Sequence, residues 1–142
     1  MRVLIASDHA GFDLKETLKA SPLAEWIDLG PKDDERVDYP DFAKRLCEEF
    51  LNDSDHLYDF AVLVCGSGQG MAITANKFQN IRAALVWNNE IAALARGHND
   101  ANVLCLPSRF ISSEEALDFT KIFFTTEFEG GRHLDRVNKI ED

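Results

Sequence analysis

The segment Cys65–Met71 brings a thiol, a hydroxyl and three glycines into seven residues, in the order Cys-Gly-Ser-Gly-Gln-Gly-Met. Glycines at alternating positions let a backbone approach a ligand closely and turn successive N–H groups toward an anion. A thiol at the start of a helix is favoured as a thiolate, which can act as a base or a nucleophile. The alternative is a plain strand-to-helix turn. The candidate catalytic residues here are Cys65 and Ser67, and the candidate ligand-binding residues are Gly66, Ser67, Gly68, Gln69 and Gly70.

The spacing of this turn excludes several familiar sites. A dinucleotide fingerprint needs Gly-x-Gly-x-x-Gly, whereas the glycines here follow Gly-x-Gly-x-Gly. A nucleophile elbow needs glycine two residues before and after the serine, but Cys65 and Gln69 stand there. A phosphatase-like loop would have arginine in place of Met71, and no Walker lysine follows the glycines.

Two further segments carry acids and imidazoles. Asp8 and His9 directly follow an apolar run that reads as a strand, where a ligand site is expected; alternatively, Asp8 only caps the next helix and His9 is a surface residue. His98 and Asn99 lie between a predicted helix and a strand, at the opposite end of the sheet. They are either a helix cap and turn or part of a neighbouring subunit's site.

Arginines provide candidate anion ligands near the carboxyl end of the chain. Arg132 and Arg136 are four residues apart and therefore share one face of a helix, where two guanidiniums suit a phosphate. The alternative is pairing with nearby acids such as Glu129 or Asp135. Arg109, after a predicted strand, is a third candidate.

Short apolar runs alternate with amphipathic stretches along the chain. The predicted strands are residues 3–6, 26–29, 60–64, 81–86 and 103–106. The predicted helices are residues 11–20, 41–52, 70–78, 89–97, 113–125 and 132–140. This alternation predicts an α/β fold: a three-layer α/β/α sandwich with a five-stranded, parallel, Rossmann-like sheet. Ligands of such sheets bind beyond the carboxyl ends of the strands.

Length and charge limit the classes of partner. The 142 residues fit one domain, residues 1–142, and the formal net charge is −10. Nucleic acid and membrane surfaces are therefore poor partners, and a phosphorylated ligand needs locally gathered cations. Residues 130–142 have no net charge, so residues 1–129 carry the whole negative charge.

Cys47 and Cys105 fall in apolar patterns and are predicted to be inert core residues. With no targeting segment and no disulfide pattern, we expect a cytoplasmic protein.

Seven segments in order resemble the type B ribose-5-phosphate isomerase family, which includes galactose- and allose-6-phosphate isomerases. They cover nearly the whole chain, and together they are specific although each alone is weak. The segments are Ser7–Phe12, Asp38–Pro40, Cys65–Gly68, Ala75–Lys77, Ile81–Ala83, His98–Val103 and Glu129–His133.

The resemblance implies an aldose–ketose isomerase of the pentose phosphate pathway that uses no metal and no cofactor. By position, Cys65 resembles the base that moves a proton between C1 and C2, and His98 the acid and base of ring opening. Some members use a glutamate where Met71 stands, and many have threonine where Ser67 stands. The predicted catalytic residues are Cys65, Ser67, His98 and Asp8. The matching sugar- and phosphate-binding residues are Asp8, His9, Asn99, Arg109, Arg132 and Arg136.

The family's site lies between two subunits, so the resemblance implies a homodimer or a tetramer of this chain. It would also explain why His98 falls at the wrong edge of the sheet for its own chain. Three alternatives stay open: a six-carbon sugar phosphate as substrate, a noncatalytic module that binds a phosphorylated sugar or nucleotide, and a need for a second, related subunit.

Overall fold

A computed structural model describes residues 1–142 and contains one five-stranded parallel sheet. The strands are β1 (Arg2–Ser7), β2 (Glu25–Asp28), β3 (Phe60–Cys65), β4 (Ala83–Leu85) and β5 (Val103–Pro107), in the spatial order β2-β1-β3-β5-β4. The helices are α1 (Phe12–Lys19), α2 (Tyr39–Leu51), α3 (Gln69–Ala75), α4 (Asn89–Gly97), α5 (Ser113–Thr125) and α6 (Arg132–Ile140). None of these helices combines the length and apolar character that a bilayer span requires.

Both faces of the sheet are buried, which is typical of parallel sheets. Alternate residues of β1 point to opposite faces. Val3 and Ile5 belong to an apolar cluster that includes residues of α1, α4 and α5, whereas Leu4 and Ala6 belong to a second cluster with residues of α2 and α3. The predicted three-layer α/β/α architecture is therefore confirmed.

Three elements are shorter than the sequence predicts. One of them is α1, which begins one residue later and ends one residue earlier than the predicted helix over residues 11–20. The prediction of a helix over residues 70–78 is wrong in extent, because α3 ends at Ala75 and the Asn76 side chain then bonds both backbone groups of Ala83. The predicted strand over residues 81–86 is reduced to β4. Its first part is replaced by the Asn102 side chain, whose oxygen accepts the Arg82 N–H at 2.8 Å.

A buried lysine ties α1 to β2. Lys15 is fully buried, and its ammonium donates to both carboxylate oxygens of Asp28, at 2.8 and 2.9 Å, and to the carbonyl of Pro31. Burial alone would raise the pKa of Asp28, but hydrogen bonds from Lys15, Lys19 and the Gly30 N–H lower it overall. The Asp28 carboxylate thus compensates a charge that water cannot reach.

We expect Asp28→Asn to lower the free energy of unfolding at pH 7 by about 3 kcal/mol, because it leaves the buried Lys15 ammonium without its counter-ion. A carboxyl with a lowered folded-state pKa stabilises the protein above its ordinary pKa of 3.8, and this contribution is lost as the pH falls through the folded-state value. Denaturant titrations of both proteins from pH 7 to pH 3 measure the difference. A difference that stays constant over this range would contradict the assignment.

Candidate active site

A cavity of about 530 Å³ opens where β1 and β3 end. It brings together two of the segments singled out by sequence, because the carboxyl ends of these neighbouring strands meet at one edge of the sheet. The residues that line it are Asp8, His9, Ala10, Tyr39, Cys65, Gly66, Ser67, Gly70, Arg109 and Phe110.

Cys65 is the last residue of β3, and its position is fixed by the loop that follows β5. Its carbonyl accepts hydrogen bonds from the backbone N–H of Ser108 at 2.9 Å and from the Ser108 hydroxyl at 3.1 Å. The next carbonyl, that of Gly66, accepts from the N–H of Arg109 at 3.0 Å. Cys65 lines the cavity although it is only 4% exposed, so it can meet a ligand there while it is largely shielded from water.

The glycine turn offers free N–H groups beside a cation. The N–H groups of Gly66, Ser67 and Gly68 take no part in the backbone or side-chain hydrogen bonds of the chain. The Arg109 side chain covers Gly66, with Cζ 3.3 Å from the position of a Cβ there, and it forms no ion pair within the chain. The groups that can bind an anion here are these loop N–H groups and Arg109, since α3 is a short helix of seven residues.

Gly68 must be glycine to form this turn. Its φ is +73°, and a Cβ would lie 2.4 Å from Cδ1 of Leu85. Gly68 is buried against Leu106 and does not line the cavity, nor does the exposed Gln69. Of the predicted binding residues of the turn, the structure therefore brings Gly66, Ser67 and Gly70 to the cavity.

Asp8 combines the two roles that the sequence left as alternatives. It is 7% exposed and its Oδ1 accepts the N–H of Gly11 at 2.9 Å just before α1, yet it also lines the cavity. The His9 side chain is held by the backbone of Val37, with Nδ1 3.2 Å from the Val37 carbonyl oxygen and 3.3 Å from the Val37 nitrogen. Both side chains are thus oriented before any ligand binds.

Tyr39 and Phe110 are lining residues to which the sequence analysis assigns no role, and Tyr39 has the closer contact with the glycine turn. Its ring packs so closely on the glycine turn that a Cβ on Gly70 would lie 2.5 Å from ring carbons. It lines the thiol cavity and also an adjoining one of about 410 Å³ that reaches Arg36 and Asp38. The sequence indicates a role for Tyr39 only through the segment Asp38–Pro40 at the start of α2, which matches the family but suggests no function for the tyrosine.

The remaining predicted residues lie elsewhere in the chain. His98 and Asn99 line a separate groove of about 850 Å³ beside β4 and α4, and they lie at the amino ends of the strands. Arg132 and Arg136 are exposed on α6 and form no ion pair within the chain, so the alternative pairing with Glu129 or Asp135 is not found. Within one chain, the predicted residues therefore form two separate groups: one in the cavity with Cys65, and one that contains His98 and Asn99.

His98 belongs to a compact cluster with Glu129 and His133. The ligand atoms of all three lie within 4.8 Å of one another. The two imidazoles are stacked, with centroids 4.1 Å apart and planes inclined by only 16°. A metal ion bound by a histidine lies about 2.0–2.1 Å from the ring nitrogen and in the plane of the ring. Because the rings of His98 and His133 are stacked and nearly parallel, no single point lies in both ring planes at that distance. In this arrangement the cluster does not fit a metal ion.

The other two cysteines lie in the core. Cys47 and Cys105 have no exposed surface. Burial raises the pKa of Cys47 to about 12, and it raises the pKa of Cys105 well above its ordinary value. Both side chains are therefore neutral thiols that pack as small apolar groups, as the sequence predicts.

The family model for ribose/galactose isomerases matches residues 3–140. The chain belongs to the ribose/galactose isomerase family. It is 44% identical to the probable ribose-5-phosphate isomerase B of Mycoplasma genitalium, covering 97% of this chain and 92% of that protein. It is 40% identical to a putative sugar phosphate isomerase of Bacillus subtilis, covering 100% of this chain and 96% of that protein. The resemblance found from sequence motifs is thus confirmed.

Solved structures agree with this membership of the isomerase family. The ribose 5-phosphate isomerase of Thermotoga maritima superposes with a TM-score of 0.93 at 45% identity, covering 99% of this chain and 97% of that one. The ribose-5-phosphate isomerase B of Mycoplasma genitalium with bound ribulose 5-phosphate has a TM-score of 0.88 at 43% identity, covering 99% and 93%.

Proposed function

We propose that this chain is an isomerase that interconverts ribose 5-phosphate and ribulose 5-phosphate, as one sugar-phosphate isomerase domain spanning residues 1–142. The observation that carries the proposal is the Cys65 thiol, held beside free N–H groups in a cavity shaped by β1 and β3. A family member with 43% identity has been solved with ribulose 5-phosphate bound, which favours a five-carbon substrate over allose or galactose 6-phosphate.

The chemistry of the isomerisation matches this arrangement. In the open-chain aldose, the Cys65 thiolate removes the proton from C2, and the electron pair moves toward the C1 oxygen to give an enediolate. Return of the proton from Cys65 to C1, with transfer of the C2 hydroxyl proton to the C1 oxygen, yields the ketose. The N–H groups of Gly66 and Ser67 are available to stabilise the enediolate charge, a contribution of roughly 3–4 kcal/mol per donor in other sites.

Ring opening precedes this proton transfer, because an aldose phosphate exists mainly as a ring. The C1 hydroxyl loses its proton, the bond from C1 to the ring oxygen breaks, and the ring oxygen gains a proton. We assign this acid and base role to His98. Since His98 lies far from the thiol cavity of its own chain, it serves the site of a second copy, and the active form is a homodimer or a tetramer.

Ligand recognition divides between the same two groups. Asp8, His9 and Ser67 face the cavity and are positioned to contact the sugar hydroxyls. Arg109 lies in the same cavity, while Arg132 and Arg136 are unpaired cations on α6 that a phosphate of the partner's site can use. Asn99 is assigned to the sugar beside His98. These local cations explain how a protein of net charge −10 can hold a phosphorylated ligand.

Proton exchange at the substrate carbon tests the function directly. The purified chain, expressed alone, is expected to replace the C2 proton of ribose 5-phosphate with deuterium in D₂O and to release ribulose 5-phosphate. Rates on allose and galactose 6-phosphate are expected to be lower. Binding without exchange would instead favour a noncatalytic module, and exchange only after addition of a related chain would favour a two-subunit enzyme.

A further inference from the structure

His98 lies against two side chains that the mechanism above does not use. Its ring is stacked on that of His133, and its Nε2 lies 3.6 Å from Oε2 of Glu129. The same carboxylate oxygen lies 3.5 Å from Nε2 of His133. One carboxylate therefore faces both imidazoles at ion-pair distance.

The backbone around Glu129 keeps this carboxylate next to His98. The Glu129 N–H donates to the carbonyl of Gly97 at 3.0 Å, directly before His98. The fit is close, since a Cβ on Gly97 would lie 3.3 Å from Oε1 of Glu129. Gly130 and Gly131, with φ of +64° and +54°, then turn the chain into α6 and bring His133 back onto His98.

The charges around the cluster favour a neutral His133. Burial lowers the pKa of His133, neighbouring His98 and Arg132 lower it further, and Glu129 opposes them. A neutral ring can stack on His98 even when His98 carries a proton, without repulsion between two cations. The other nearby acid, Asp100, is engaged by Arg82 and Arg96 at 3.2 and 2.8 Å, so Glu129 is the carboxylate that faces His98.

We propose that Glu129 and His133 are positioning residues for His98: the stacked His133 ring fixes the plane of the imidazole, and the Glu129 carboxylate fixes its rotation. This inference rests on the proposed function, in which His98 opens the sugar ring. Ring opening then depends on both residues, whereas proton transfer between C1 and C2 at Cys65 does not.

The two substrates of the reaction separate these steps. Ribose 5-phosphate must be opened, but ribulose 5-phosphate cannot form a furanose ring because its 5-hydroxyl carries the phosphate. For Glu129→Gln we expect turnover of ribose 5-phosphate to fall about tenfold, a part of the 10²–10⁴-fold that a general acid or base contributes. Deuterium exchange at C1 of ribulose 5-phosphate in D₂O is expected to stay within about twofold of wild type, because it bypasses ring opening.

Matched variants distinguish positioning from general damage. Glu127→Gln removes an exposed acid of the same segment that forms no ion pair, and it is expected to behave as wild type in both assays. His133→Phe keeps a planar ring on His98 and is expected to retain ring opening, whereas His133→Leu loses the plane and is expected to lose it.

The outcomes separate the two proposals. A Glu129→Gln protein with wild-type turnover of ribose 5-phosphate, or one that is slowed equally in both assays, would overturn the positioning role while leaving the isomerase function intact. A wild-type protein with no exchange on either substrate would contradict the proposed function, and the positioning role with it.

Discussion

Replacing Cys65 with serine is expected to lower the rate of isomerisation by about 10²–10⁴-fold, the range that a positioned general base contributes. The hydroxyl is nearly the size of the thiol, so the side chain still fits its place at the end of β3, where Cys65 is 4% exposed. A serine hydroxyl is far less acidic than a thiol, and it therefore cannot supply the base. Deuterium exchange at C1 of ribulose 5-phosphate measures the loss without any contribution from ring opening.

Cys47→Ala provides the matched control for this experiment. Cys47 is a fully buried thiol on the same side of the sheet, but it lies on α2 outside the cavity. Its removal is expected to cost stability and to leave the exchange rate of the folded protein unchanged. Thermal melts establish that each variant is folded. A folded Cys65→Ser protein with near-wild-type exchange would show that Cys65 is not the base.

Mixing two inactive variants is expected to restore activity if each site uses two chains. Cys65→Ala retains His98, and His98→Asn retains Cys65, so a mixed dimer contains one complete site and one that lacks both groups. With random pairing, half of the dimers are mixed, and the recovered activity is about one quarter of that of wild type. Each variant alone is expected to retain less than about 1%.

A third mixture provides the control for subunit sharing. A chain carrying both substitutions has nothing to contribute to a wild-type partner, so mixed dimers with it contain no complete site. Adding it in equal amount to wild type, with subunit exchange, is expected to halve the activity per wild-type chain. Activity that is merely the sum of the separate proteins in all mixtures would place Cys65 and His98 in the site of a single chain.

The sequence predicted most of the fold because the elements have strong local signals. The helix over residues 113–125 agrees with α5 to the residue, since Ser112 and Glu115 form a capping box at its start. The prediction failed where a side chain replaced backbone pairing, as with Asn102 beside β4. Such a replacement depends on a residue about twenty positions away in sequence and leaves no periodic pattern.

The candidate site was only half predictable from the residues themselves. Cys65 and Asp8 could be placed in one cavity because Cys65 ends one strand, Asp8 directly follows another, and the sheet brings these strand ends together. Tyr39 reaches the cavity from the start of a helix, by contact with Gly70, and no spacing rule indicates such a contact. The pairing of His98 with Glu129 likewise depends on a long-range contact, the hydrogen bond from the Glu129 N–H to the Gly97 carbonyl.

The order of the strands determines where the cleft of this site forms. β1 continues into α1 on one face of the sheet, whereas its neighbour β3 continues into α3 on the opposite face. The two chain paths therefore part at a topological switch point, and a crevice opens between them whatever side chains line it. The connections between strands and helices form the cleft, whereas the loops carry the side chains that react with and bind the ligand. A protein with the same sheet can therefore acquire a different substrate through changes in these loops while its core stays the same.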